Sequence, residues 1–197
     1  MTYIIGLTGS IGMGKSTTAQ MFADEGCALW DADAAVHRLY APGGAAVAPM
    51  QAAFPSAVTA EGVSREGLKA ILAETPDALR QIEQIVHPLV AEDRQAFIAR
   101  TEADIVVLDI PLLFEGRGHK IVDTTVCVSV DAETQRERVL ARGTMSEQQF
   151  EMIRAKQMPD AEKRALADHV VITDTLDHAR EQVRAIVRDI REQLKNA

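Results

Sequence analysis

The chain has 197 residues, 47% hydrophobic and 25% charged, which is the balance of one ordinary folded domain with room for a small insertion and excludes disordered, collagen-like and fibrous classes. Lys and Arg number 21 against 29 Asp and Glu, a net charge of −8, so no global basic field draws a nucleic-acid backbone. At 4% aromatic content a base-stacking platform is not expected either. Any anionic ligand has to be captured locally.

The first element is a strand over Tyr3 to Thr8, in an opening run from Met1 to Gly6 that has no basic flank and is too short for a signal segment. No run reaches the ~18–20 apolar residues of a membrane span. A cytoplasmic monomer without nucleic-acid or membrane partners is expected. Gly9-Ser10-Ile11-Gly12-Met13-Gly14-Lys15-Ser16 then matches the spacing of a phosphate loop, placed between an apolar strand and a helix over Lys15 to Glu25. Glycines let successive N–H groups turn inward on a phosphate, and the helix start adds its dipole. Lys15 would reach the outer phosphates of a nucleotide, and the Ser16 hydroxyl would bind Mg²⁺. A glycine-rich turn without a ligand is the plain alternative.

A second strand is predicted over Cys27 to Trp30, followed at once by Asp31-Ala32-Asp33. Asp33 is a candidate for orienting and deprotonating a hydroxyl, and equally a candidate cap of the helix running to Tyr40. From residue 39 to 100 the pattern is helical, with no convincing buried strand and loops at Ala41 to Gly44 and Pro55 to Gly62. Thr75-Pro76 reads as a helix start, and His87-Pro88 as the place where that helix ends or bends.

The core pattern resumes with a strand over Ile105 to Leu108 that ends in Asp109, which is either a Mg²⁺ carboxylate or a strand-end turn residue. Ile110 follows where many motor ATPases carry a glutamate, so transfer to a bound acceptor is expected rather than hydrolysis. A strand over Thr125 to Val130 leads into a helix over Ala132 to Arg142, with Arg138 and Arg142 on one face. They are either a solvated surface or cations brought over a transferring phosphate. Residues 143–159 form a small insertion with a capping box at Ser146 and Gln149. A last strand over His169 to Ile172 and a helix over Leu176 to Leu194 complete a doubly wound α/β architecture. The sole asparagine is Asn196, which rules out a guanine-reading NKxD motif. Cys27 and Cys127 have no metal or redox spacing and are expected in the core.

Several segments together resemble the dephospho-CoA kinase family over nearly the whole chain. They are GLTGSIGMGKST at Gly6 to Thr17, DAD at Asp31 to Asp33, EGVSREGL at Glu61 to Leu68 and the HP of His87-Pro88. Further along come DIPLLFE at Asp109 to Glu115, the Gln135, Arg138 and Arg142 spacing, and AD.VI at Ala167 to Ile172. The resemblance implies a P-loop kinase that uses ATP and Mg²⁺ to phosphorylate the ribose 3′-hydroxyl of dephospho-CoA. It implies a five-stranded core from residues 1–38, 101–142 and 160–197, a helical CoA domain over 39–100 and a lid over 143–159. Gly9, Ser10, Ile11, Gly12, Met13, Gly14, Lys15, Ser16 and Thr17 would then hold ATP phosphates, with Ser16, Asp31 and Asp109 around the metal. Asp33 would be the catalytic base and Arg138 and Arg142 the lid-side cations. Arg65, His87, Pro111 and Leu112 would line the acceptor pocket. Phe54-Pro55 stands where family members commonly have Phe-Gly, and Thr173-Asp174 where many have an asparagine. Two other readings of the residues are a nucleoside or small-metabolite kinase and a nucleotide-sensing regulatory protein.

Overall fold

The structure, a computed structural model, describes residues 2–116 and 118–196; Met1, which opens the apolar run, lies outside them, as do Arg117 and Ala197. Strand β1 (Tyr3–Thr8) passes through the glycine loop into α1 (Lys15–Asp24), and β2 (Ala28–Asp31) leads directly into α2 (Ala32–Tyr40). Next come α3 (Val47–Ala53), a short antiparallel hairpin of β3 (Val58–Thr59) and β4 (Gly62–Val63), α4 (Arg65–Glu74) and the long α5 (Ala78–Arg100). The chain continues with β5 (Ile105–Asp109), β6 (Thr124–Ser129), α6 (Ala132–Ala141), α7 (Glu147–Lys156), α8 (Asp160–Leu166), β7 (His169–Ile172) and α9 (Leu176–Asn196).

The main sheet has the order β2-β5-β1-β6-β7, with β1 parallel to β5 and β6, and β6 parallel to β7. This is the doubly wound α/β class that the apolar strands predict. β5 and β6 are buried along their whole length, as expected for strands covered on both faces. Ile5, Leu7, Val107 and Val126 meet Phe22 of α1 and the α9 stripe of Ala179, Val183, Ile186, Val187 and Ile190 in one core. Cys27 and Cys127 are free and buried, and burial pushes their thiols up to about 11 and about 12, which makes them inert packing residues.

The chain divides into two compact units, Met1–Trp30 with Glu102–Ala197, and Asp31–Thr101. The second has its own core, in which Leu39, Met50, Phe54 and Leu68 pack with Ala78, Ile82 and Val86 of α5. Three local expectations change here. Thr75 ends α4, its N–H bonding to the Ile71 carbonyl, and Pro76 lies in the turn ahead of α5 rather than at its first position. Helix α5 runs through Pro88 to Arg100. A proline there removes the bond to the carbonyl four residues earlier, on Gln84, and both residues are exposed, which is where a helix tolerates the loss. The β3–β4 hairpin lies where loops were expected, because two-residue strands leave no periodicity to detect.

Candidate active site

The glycine loop joins two elements of the first unit, and close packing dictates its glycines. A Cβ on Gly9 would stand 2.3 Å from a methyl of Val128, and one on Gly12 would stand 2.5 Å from a methyl of Val139 while Gly12 itself holds φ 78°. No L side chain fits either place without moving β6 or α6. Helix α1 starts at Lys15 after Gly14, with no side-chain cap and no acidic residue in its first turn. In contrast α2, α4, α6 and α7 each have both a capping side chain and a first-turn acid. Helices α3 and α5 also start without either, so what sets the start of α1 apart is the glycine loop ahead of it, and its positive end is open to an anion.

At this end Lys15 and Asp109 form an ion pair. Asp109 closes β5, is 3% exposed and lies opposite Leu7 of β1 in the sheet register. Ser16 and Thr17 are exposed on the first turn of α1. Mg²⁺ bound with phosphates takes one or two protein oxygens beside water and phosphate, and the Ser16 hydroxyl with the Asp109 carboxylate fits that requirement. Asp31 caps α2, its Oδ1 accepting the Ala34 N–H at 2.9 Å, which occupies one of its two carboxylate oxygens. The capping alternative thus belongs to Asp31, and Asp33 stands exposed in the first turn with no hydrogen bond or ion pair among the described residues.

Arg138 is held on the far side of the loop. It donates to Thr173 Oγ1 at 3.1 Å and to the Thr173 carbonyl at 2.5 Å, while Thr173 Oγ1 donates to the Met13 carbonyl at 2.7 Å. Arg138, Thr173 and the exposed Arg142 line a cavity of 240 Å³ with Gly14, Thr17 and Asp174. This hollow lies beside the start of α1, and Met21, Leu176 and Ala179 add apolar surface to its lining.

The other predicted residues lie on the following elements. Pro111 and Leu112 form the turn after β5, where the Pro111 carbonyl accepts from Thr8 Oγ1 at 3.0 Å and Leu112 is 52% exposed. Arg65, at the start of α4, and His87, inside α5, are both exposed in the second unit.

The model of the family described as dephospho-CoA kinase matches residues 3–178. The chain belongs to the dephospho-CoA kinase family. A dephospho-CoA kinase of Ruegeria pomeroyi is 68% identical over 191 residues, covering 97% of both chains. A Thermus thermophilus crystal structure superimposes with a TM-score of 0.85 at 31% identity, over 95% of this chain and 97% of the other. A dephospho-CoA kinase structure from Campylobacter jejuni, at 20% identity with TM-score 0.69 over 98% and 99% of the chains, shares the fold.

Within this kinase the sequence pattern had pointed to the glycine loop, Lys15, Ser16 and Asp109, which the structure brings together at the ends of β1 and β5. It had not pointed to Gln157, whose side chain touches the loop at Ile11, or to Lys163, which is wholly buried beside the Pro111 turn. Neither lies in a motif with a mechanism. The signal that could have raised Lys163 is its place in a short helix ahead of the last core strand, where a charged residue on the inner face calls for a partner.

Proposed function

We propose that this kinase transfers the γ-phosphate of ATP to the ribose 3′-hydroxyl of dephospho-CoA, with Asp33 accepting the hydroxyl proton. Family membership makes ATP-dependent phosphorylation of dephospho-CoA, a step of coenzyme A biosynthesis, its activity. The observation that carries the phosphate assignment is the glycine loop, where Gly9 and Gly12 admit no Cβ, leading directly into the uncapped start of α1 with Lys15 paired to Asp109 there.

Gly9 to Thr17 would cradle the phosphates, and Lys15 would turn from Asp109 toward the β and γ oxygens as charge develops there. Ser16 and Asp109 would hold Mg²⁺, which supplies neutralisation of phosphate charge; Asp31 serves the turn that presents Asp33. The cavity lined by Arg138 and Thr173 is assigned to the nucleotide base, with Arg142 at its mouth facing the phosphates when the 143–159 segment closes as a lid. The unit Asp31–Thr101 is assigned to the acceptor, with Arg65, His87 and the Pro111-Leu112 turn as contacts. In the reaction the 3′-oxygen bonds to phosphorus, the bond to ADP breaks, and the hydroxyl proton passes to the Asp33 carboxylate. An unengaged carboxylate is ionised at neutral pH, and in a loose transition state its orientation matters more than its basicity. We place the enzyme in the cytoplasm as a monomer, and light scattering at the monomer mass of 21.4 kDa checks that state.

The test is incubation with MgATP and a panel of hydroxyl acceptors, read by mass spectrometry for one added phosphate. Dephospho-CoA should gain it, and Asp33→Asn should bind both substrates while turning over ~10²–10⁴-fold more slowly. Product from a nucleoside monophosphate and none from dephospho-CoA would overturn the acceptor assignment, and a near wild-type Asp33→Asn would overturn the base.

A further inference from the structure

Ile11, inside the glycine loop, has both backbone groups engaged by glutamine side chains. Its N–H donates to Gln157 Oε1 at 3.1 Å, and its carbonyl accepts from Gln135 Nε2 at 2.7 Å. Gln135 lies buried in α6, ahead of the 143–159 segment, and Gln157 lies near the end of that segment as the residue that follows α7. Each peptide unit is rigid and planar, and the Ile11 N–H belongs to the Ser10–Ile11 unit while its carbonyl belongs to the Ile11–Gly12 unit, so the two grips fix the directions of two successive units of the loop.

Gln157 is itself held from outside the loop. The adjacent Met158 N–H donates to Glu115 Oε1 at 3.0 Å. Glu115 pairs at 2.9 Å with Lys163, whose side chain is 0% exposed and also donates to the Pro111 carbonyl at 3.1 Å. Burial pushes the Glu115 carboxyl up, but the Lys163 and Met158 hydrogen bonds outweigh it and hold the group below its ordinary range. The anchor of Gln157 is thus rooted in the turn after β5 and independent of the loop it grips.

We propose that Gln157 is a positioning residue for the nucleotide: by holding the Ile11 N–H it sets the Ser10–Ile11 peptide so that the loop amides that follow converge on phosphate, and it ties that geometry to the end of the 143–159 segment. The proposal rests on the reading of Gly9 to Thr17 as the ATP phosphate site. It concerns neither Lys15 nor the metal, and it gives an exposed-face helix a function that its capping box alone does not explain.

Gln157→Met keeps the length and removes the acceptor. Calorimetry with MgADP should show affinity weaker by ~3–10-fold, the range of one net hydrogen bond, while the KM for dephospho-CoA stays within about twofold and Tm falls by no more than about 6 °C. The Ile11 amide should exchange its proton faster in Gln157→Met, and the slow exchange should be kept in Gln157→Glu, which retains an acceptor oxygen. Unchanged MgADP affinity in Gln157→Met overturns the proposal and leaves the phosphate-loop reading standing. A wild-type protein that fails to bind MgADP overturns both. Parallel loss of both substrates with Tm lowered by more than about 6 °C overturns it as well, since that is a general loosening.

Discussion

Removing Glu115 should destabilise this protein more than removing Lys163, although each change breaks the same ion pair. Glu115→Ala leaves a side chain that is 0% exposed carrying an ammonium whose remaining partner among the described residues is the Pro111 carbonyl. An uncompensated buried charge of this kind costs about 3–5 kcal/mol. Lys163→Met fills the same volume and leaves Glu115, which is 21% exposed at its side chain, with water and the Met158 amide as partners; the Pro111 carbonyl keeps its bond from Thr8. That loss is about 1–3 kcal/mol. For a chain of this size each kcal/mol is worth about 2–4 °C, so Glu115→Ala should lower Tm by roughly 6–20 °C and Lys163→Met by roughly 2–12 °C. The depressed carboxyl of Glu115 contributes stability that is fully present above the unfolded-state value of ~4.3 and is lost as pH falls through the folded-state value. The gap between wild type and Glu115→Ala should therefore narrow in acid. Thermal melts by circular dichroism at pH 7 and down to pH 3 measure both effects. A larger loss from Lys163→Met than from Glu115→Ala, or a gap that widens on acidification, would refute the reasoning.

Lys15→Ala should abolish turnover in a coupled ADP-release assay, because the ammonium is the one side-chain cation at the start of α1; it should also lower stability by about 1–3 kcal/mol, since Asp109, 3% exposed, loses its Lys15 partner. Arg138→Ala should raise the KM for ATP by roughly tenfold or more through loss of the Thr173 bonds that shape the cavity wall. In contrast Arg142→Ala should lower kcat by ~10²–10³ with little change in ATP affinity. Equal effects of both arginines on KM and kcat would return them to one role.

What the sequence by itself determined was local. Five apolar runs and the 3.6-residue stripe of the last helix specified a doubly wound sheet, because a strand buried on both faces and a helix buried on one announce themselves by periodicity. The glycine loop was legible for a similar reason, since its conformation needs glycine at fixed spacing and its chemistry needs Lys15 and Ser16 beside it. Tertiary structure decided the pairings between distant positions. Asp109 meets Lys15 because β5 inserts between β2 and β1 in the sheet. Asp31 rather than Asp33 caps α2, a choice set by backbone angles at the end of β2. Thr173 joins Arg138 to the loop across 35 residues of sequence, and Gln157 and Lys163 take their partners from the ends of β1 and β5. Periodicity encodes which face of an element is buried, whereas a single polar contact depends on the register in which whole elements pack, and no pattern within one element carries that register.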